Sequence, residues 1–123
     1  HTLFNALSFQ NPPAICGLNQ LQPKAKSRTL LGVRKMIRKG NSPVKEPKLI
    51  LDQREYPLLV IDSNPDLRIA ALATDAAPHW CGGWVDWGKK HLRLQVNQQI
   101  HIEVGDLYVR FFASLIQWLS GIK

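Results

Sequence analysis

Four side chains within one short stretch are of types that do chemistry together. Asp75, His79, Cys81 and Asp86 all lie in Ala73-Thr74-Asp75-Ala76-Ala77-Pro78-His79-Trp80-Cys81-Gly82-Gly83-Trp84-Val85-Asp86-Trp87-Gly88. A thiol becomes a nucleophile only as the thiolate, which needs a base or a positive field beside it. The base in turn needs a third group to orient it. Cys81 and His79, with Asp75 or Asp86 on the imidazole, would satisfy that scheme. Residues two apart on extended chain point the same way but seldom reach hydrogen-bonding distance. The plainer reading is a small buried cysteine beside a histidine whose ring nitrogens bond Asp75 or a backbone carbonyl and pin the loop. Asp75 could equally cap the loop by accepting backbone N–H bonds. The structural reading is the expected one, and no residue is assigned a catalytic role.

The same stretch holds Trp80, Trp84 and Trp87, three of the four tryptophans. Aromatic area that dense must be covered by the protein or offered to a ligand. These three rings are the candidate ligand-binding residues, as a flat platform for a sugar. A lid over the open end of a sheet is the competing arrangement. The four histidines, His1, His79, His91 and His101, lack zinc-type spacing, and no cysteine pair supports them. His91 and His101 could face each other across a hairpin. Copper chelation by the His1 amino group ranks last. No metal and no cofactor are expected.

Charge is unevenly placed. The 123 residues carry a formal net charge of +7. Nine of the 16 basic residues lie between positions 24 and 48: Lys24, Lys26, Arg28, Arg34, Lys35, Arg38, Lys39, Lys45 and Lys48, with only Glu46 opposing them. Such a patch could meet phosphate backbones. No aromatic residue lies in that stretch, and single-strand binders need stacking platforms. A solvated hairpin is therefore expected, with nucleic-acid binding through it the lesser alternative.

The elements that would position these groups can be read from periodicity. Residues 3–9 open with Leu3, Phe4, Leu7 and Phe9, as one helical turn, broken by Asn11-Pro12-Pro13. Residues 15–21 read as a strand, and Thr29-Leu30-Leu31-Gly32-Val33 as another, with Met36 and Ile37 extending it or sitting in a hairpin arm. Pro57-Leu58-Leu59-Val60-Ile61-Asp62 is a continuous apolar run, as in a strand buried on both faces. Residues 67–73 return after the turn Ser63-Asn64-Pro65-Asp66. His91-Leu92-Arg93-Leu94-Gln95-Val96 and Ile100-His101-Ile102-Glu103-Val104 alternate with period two and make a second hairpin. Gly105-Asp106 opens a helix capped by Asp106. Its apolar face is Tyr108, Phe111, Phe112, Leu115 and Leu119, and Gly121 stops it. The length supports one domain, 1–123, and no apolar run approaches the ~20 residues of a membrane span. Two cysteines make no disulfide scaffold, so reduced thiols in the cytoplasm are the default. The start at His1, without Met, reads as a processed or trimmed end.

Several of these residues resemble a known family. Residues 67–73 followed by Thr74-Asp75-Ala76-Ala77-Pro78-His79-Trp80 are similar to the C-terminal signature of glutamine amidotransferase-like proteins, within the class I glutamine amidotransferase-like superfamily. Residues 1–7, with Thr2 where Pro is common, resemble that family's His-initiated segment. Pro12-Pro13 before Cys16-Gly17-Leu18-Asn19, the strand Pro57-Leu58-Leu59-Val60, and Val104-Gly105-Asp106-Leu107-Tyr108 leading to Trp118-Leu119-Ser120-Gly121 are similar to further parts. The resemblance implies an α/β, locally α+β, chain. It would be the strand-rich C-terminal half of a flavodoxin-like fold, a mixed sheet with hairpins and one C-terminal helix. It also implies an N-terminal half carrying a nucleophile elbow, and no Gly-x-Cys-x-Gly pattern occurs in these residues. His79 would stand where the superfamily's base stands. The expected function is a non-catalytic binding or oligomeric assembly module, a homo-oligomer and most simply a two-fold dimer. A separate chain supplying the N-terminal half is the other partner considered. A thiol-dependent amide hydrolase or amidotransferase acting across an oligomer interface is the runner-up.

Overall fold

Five strands and one long helix follow one another in the order the hydropathy pattern lays down. The computed structural model describes residues 2–5, 7, 9–39, 48–64, 67–76 and 82–121. After a 3-10 turn at Thr2–Phe4 come β1 (Arg28–Lys39), β2 (Lys48–Asn64) and β3 (Leu67–Leu72), then a second 3-10 turn at Gly82–Trp84, β4 (His91–Gln95), β5 (His101–Gly105) and α1 (Asp106–Ser120). The strands form two sheets, β1-β2-β3 and β4-β5. All three described pairings are antiparallel. The expected mixed sheet is thus replaced, among the described residues, by two antiparallel ones. Antiparallel pairing of strands that follow one another in the chain needs no crossover.

β2 is the central element. Leu58, Leu59, Val60 and Ile61 are all buried, as the unbroken apolar run predicts for a strand covered on both faces. Each such side chain contributes about 1.5–3 kcal/mol when fully removed from water. On one side β2 pairs with β3 from Leu59↔Leu72 to Asn64↔Leu67. On the other it pairs with β1 over a longer span, from Arg28↔Ile61 to Lys39↔Lys48. β1 and the first half of β2 therefore continue past the three-stranded sheet as a two-stranded ribbon. Three register shifts, between Thr29 and Leu31, Leu31 and Gly32, and Arg34 and Met36, interrupt the β1–β2 ladder. Such bulges increase the local twist.

The core is aromatic. Leu3, Leu59, Trp84, Trp87, Phe111 and Leu115 form one buried cluster. Phe111 is 0% exposed. It stacks on Phe4 at 5.1 Å and takes the edge of Trp84 at 4.9 Å, centroid to centroid. Pairs of this kind are worth about 0.5–1.5 kcal/mol beyond the area they bury. The apolar opening at Leu3, Phe4, Leu7 and Phe9 thus closes one side of the core. α1 lays Phe111 and Leu115 inward, as its spacing predicts. Leu119 departs from expectation: it is exposed, although its neighbour Trp118 packs against the core.

Two expectations for local structure need correction. Residues 15–21 form no strand; they run extended along the end of β3. Among the described residues two bonds tie them there: the Asn19 N–H donates to the Ala73 carbonyl at 2.7 Å, and the Thr74 hydroxyl donates to the Gly17 carbonyl at 2.8 Å. Pro12, Pro13 and Pro23 fence the segment, and Gly17, Asn19 and Gln20 are poor strand formers. Asp106 does not cap α1, either. Gly105 is the residue before the first turn, and no side chain caps it. The Asp106 carboxylate instead accepts the Lys90 N–H at 3.2 Å. The helix N-terminus is served from outside: the Trp87 carbonyl accepts the N–H groups of Leu107 and Tyr108 at 3.1 and 3.2 Å. At the other end Gly121 adopts φ 72° and donates to the Trp118 carbonyl, the left-handed stop expected of it.

Candidate functional site

The tryptophan loop leaves β3 through Ala73 and Thr74, both buried. Of its chemical groups, His79, Trp80 and Cys81 lie outside the described residues, so the Cys–His pair has no geometry to report. Asp75 and Asp86 are exposed at either end of the stretch. Trp84 and Trp87 are 2% and 5% exposed. Their rings stack at 5.7 Å and 21°, and Phe9 lies 5.2 Å from Trp87. Neither indole offers a face to solvent, so the two do not form an open platform. Both indole N–H groups are buried without a hydrogen-bond partner, which costs about 1–3 kcal/mol each. They hold their places through ring packing alone.

Trp84 also reaches a cleft. A half-open hollow of about 540 Å³ runs between the segment from Phe9 to Leu18 and the base of the β1–β2 ribbon, and Trp84 lies in its wall. Phe9, Ile15, Val33, Met36 and Leu58 make it mostly apolar, while Arg34, Lys35, Glu55 and Tyr56 bring polarity to the ribbon side. Cys16, a free and exposed thiol, lines it as well. The hollow exists because residues 9–18 pack beside the sheet without joining its ladder.

The histidines do not meet. His91 pairs with Gly105 and His101 with Gln95, so the two stand at opposite ends of the β4–β5 hairpin. The expected face-to-face arrangement fails because the turn is centred two residues further along than that pairing requires. Among the described residues no group of three His, Cys, Asp or Glu side chains could hold a metal ion. No helix among them is long and apolar enough to cross a membrane.

The basic stretch lies on an exposed antiparallel arm, in keeping with the solvated hairpin expected of it. Lys24 and Lys26 sit in a turn and Arg28 starts β1, all exposed. Arg34, Lys35, Arg38 and Lys39 continue along β1 and are exposed too. The antiparallel register brings β2 alongside them, with Val33 opposite Tyr56 and Lys39 opposite Lys48. Tyr56 is thereby set among cations: the Lys35 ammonium lies 5.0 Å and the Arg54 guanidinium 4.8 Å from its ring centre. Cation–π contacts of this kind are worth about 0.5–1 kcal/mol at exposed sites. An aromatic residue does stand in the basic surface; it comes from the partner strand, seventeen positions after Lys39. The run Arg54-Glu55-Tyr56 read against a long hairpin register would have found it.

Comparison with protein-family models and with curated proteins finds no match to this chain.

Proposed function

We propose that the chain is a non-catalytic assembly module, and that a second copy of it covers the outer edge of β3. The class of protein this implies is a strand-rich half of an amidotransferase-like, flavodoxin-like α/β fold. The motif Asp75-x-x-Pro78-His79-Trp80 supports that class, as does the order of paired strands before a closing helix. One observation carries the assembly reading. β3 ends the three-stranded sheet with no second neighbour among the described strands. Its residues alternate: Ala70 and Leu72 pack against the core, while Leu67 and Ile69 are 58% and 50% exposed. An unpaired apolar edge is a template for another strand.

The accessible surface is 9542 Å², against about 6,700 Å² for a compact monomer of 13.9 kDa by surface scaling. Part of the excess is the ribbon. A standard interface needs only about 800 Å² from each partner. Pairing β3 with its two-fold mate would join two three-stranded sheets into one of six, with Ile69 near the axis of a self-complementary contact.

The Ile69→Lys variant tests this. Ile69 is half-exposed, so the charge is accommodated within a single copy and removes the apolar contact between two. Sedimentation velocity at ~10 μM is expected to shift from dimer to monomer with an unchanged far-UV spectrum. A variant that sediments as the wild type does would refute the β3 contact.

A further inference from the structure

We infer that the β1–β2 ribbon is a docking arm for duplex DNA, entering the major groove. The arm comprises residues 34–39 of β1 and 48–56 of β2, which pair with each other and with no third strand. At a rise of about 3.3 Å per residue its β1 side is about 20 Å long. It carries six cations, Arg34, Lys35, Arg38, Lys39, Lys48 and Arg54, against two carboxylates, Asp52 and Glu55.

The carboxylates are turned away from the far end. Asp52 accepts the backbone N–H of Arg54 at 3.3 Å, and the Glu55 side chain lies back over Gly32, in the space a Cβ there would need. The end of the arm therefore presents Arg38, Lys39 and Lys48 without an acidic side chain among the described residues. Met36, Ile37, Leu49 and Leu51 are exposed between these cations. The register puts Met36, Leu51, Arg38 and Leu49 on one face, and Ile37, Ile50, Lys39 and Lys48 on the other.

That distribution selects the partner. An arm lying on an anionic lipid surface would put its apolar residues on one face and its cations at the margins. Here both faces carry apolar and cationic side chains, as suits an arm enclosed on both sides by phosphate walls. The major groove of B-form DNA, about 12 Å wide, admits a two-stranded ribbon. Its phosphates take the lysines and arginines, and apolar side chains reach base edges and thymine methyl groups. The deep, narrow major groove of an RNA duplex excludes such an arm.

The test is fluorescence anisotropy with a 24-base-pair DNA duplex across a salt series. Four cations neutralising phosphates give a log–log slope of about −3.6, so affinity should fall about a hundredfold between 50 and 200 mM salt. Lys39→Gln with Lys48→Gln should lower the slope by about two and leave the far-UV spectrum unchanged. An RNA duplex of the same sequence should bind at least tenfold more weakly. Vesicles of phosphatidylserine and phosphatidylcholine should bind less tightly than the DNA does at equal salt. No binding at 50 mM salt, a slope near zero, an unchanged slope in the double variant, equal affinity for RNA, or tighter binding to the vesicles would each overturn the inference. These readouts concern the arm alone, so their failure leaves the β3 contact standing.

Discussion

Phe111→Ala is expected to destabilise the protein by about 3–5 kcal/mol, the largest loss of any single substitution. The residue is fully buried. Its ring touches Phe4, Trp84, Trp87 and Phe112, with centroids 4.9–6.3 Å away. Those rings come from the N-terminal turn, the tryptophan loop and α1, so one truncation loosens three parts of the chain. Collapse around the cavity is opposed by the stacked indoles, whose N–H groups gain nothing by moving within an apolar shell. A domain with 5–15 kcal/mol of total stability would lose a large share of it. Urea titration followed by tryptophan fluorescence reads the effect. A loss below about 1 kcal/mol would show that the aromatic cluster is not the core.

Gly105→Ala is expected to cost at least about 2 kcal/mol, from overpacking together with loss of a helix cap. The backbone at Gly105 is extended, with φ −65° and ψ 144°, so any residue could adopt it. The obstacle is purely steric. An added Cβ would run into the Trp87 carbonyl, well inside contact distance. That carbonyl receives the N–H groups of Leu107 and Tyr108, the second and third of the helix, and its residue is a core tryptophan. Displacing it frays the start of α1 and shifts the indole together. Gly17→Ala is the control, because nothing lies within 4 Å of the position a Cβ would take there. Thermal melts should separate the two clearly. Equal melting temperatures would mean that the β5–α1 junction is not packed against the tryptophan loop.

β2 and the helix were legible in the sequence because burial imposed a pattern on them. Residues 58–61 are apolar without interruption and lie inside the sheet. Phe111 and Leu115 sit one helical turn apart and point inward. The hairpin of β4 and β5 follows from alternation alone. What could not be read was set by register or by backbone contacts, which leave no local pattern. Residues 15–21 have the composition of a modest strand, yet they join no ladder among the described strands. β1 runs on through Lys35, Arg38 and Lys39 because β2 pairs with it that far, in keeping with the solvated hairpin expected there, and the register itself is what the sequence did not show. Tyr56 joins the basic surface by the same register, from outside the basic stretch. Asp106 has the look of a cap, but the Trp87 carbonyl takes that place.

The candidate site was legible only in part. The cluster of aromatic residues marks the core for Trp84 and Trp87, both of which are buried. A cleft beside them, walled by the proline-flanked segment and the ribbon, had no signature in the sequence. It arises where two pieces of chain pass without hydrogen-bonding. β1 and the β3 edge lie on opposite borders of the same sheet, with β2 between them. A two-fold contact through β3 would therefore leave both arms free at the far ends of a continuous six-stranded sheet.

Molecular mass in solution, by light scattering across ~1–100 μM, tests the uncovered β3 edge most directly. A mass of twice 13.9 kDa that persists on dilution into the low micromolar range is the predicted result. A single species of 13.9 kDa at every concentration would contradict it.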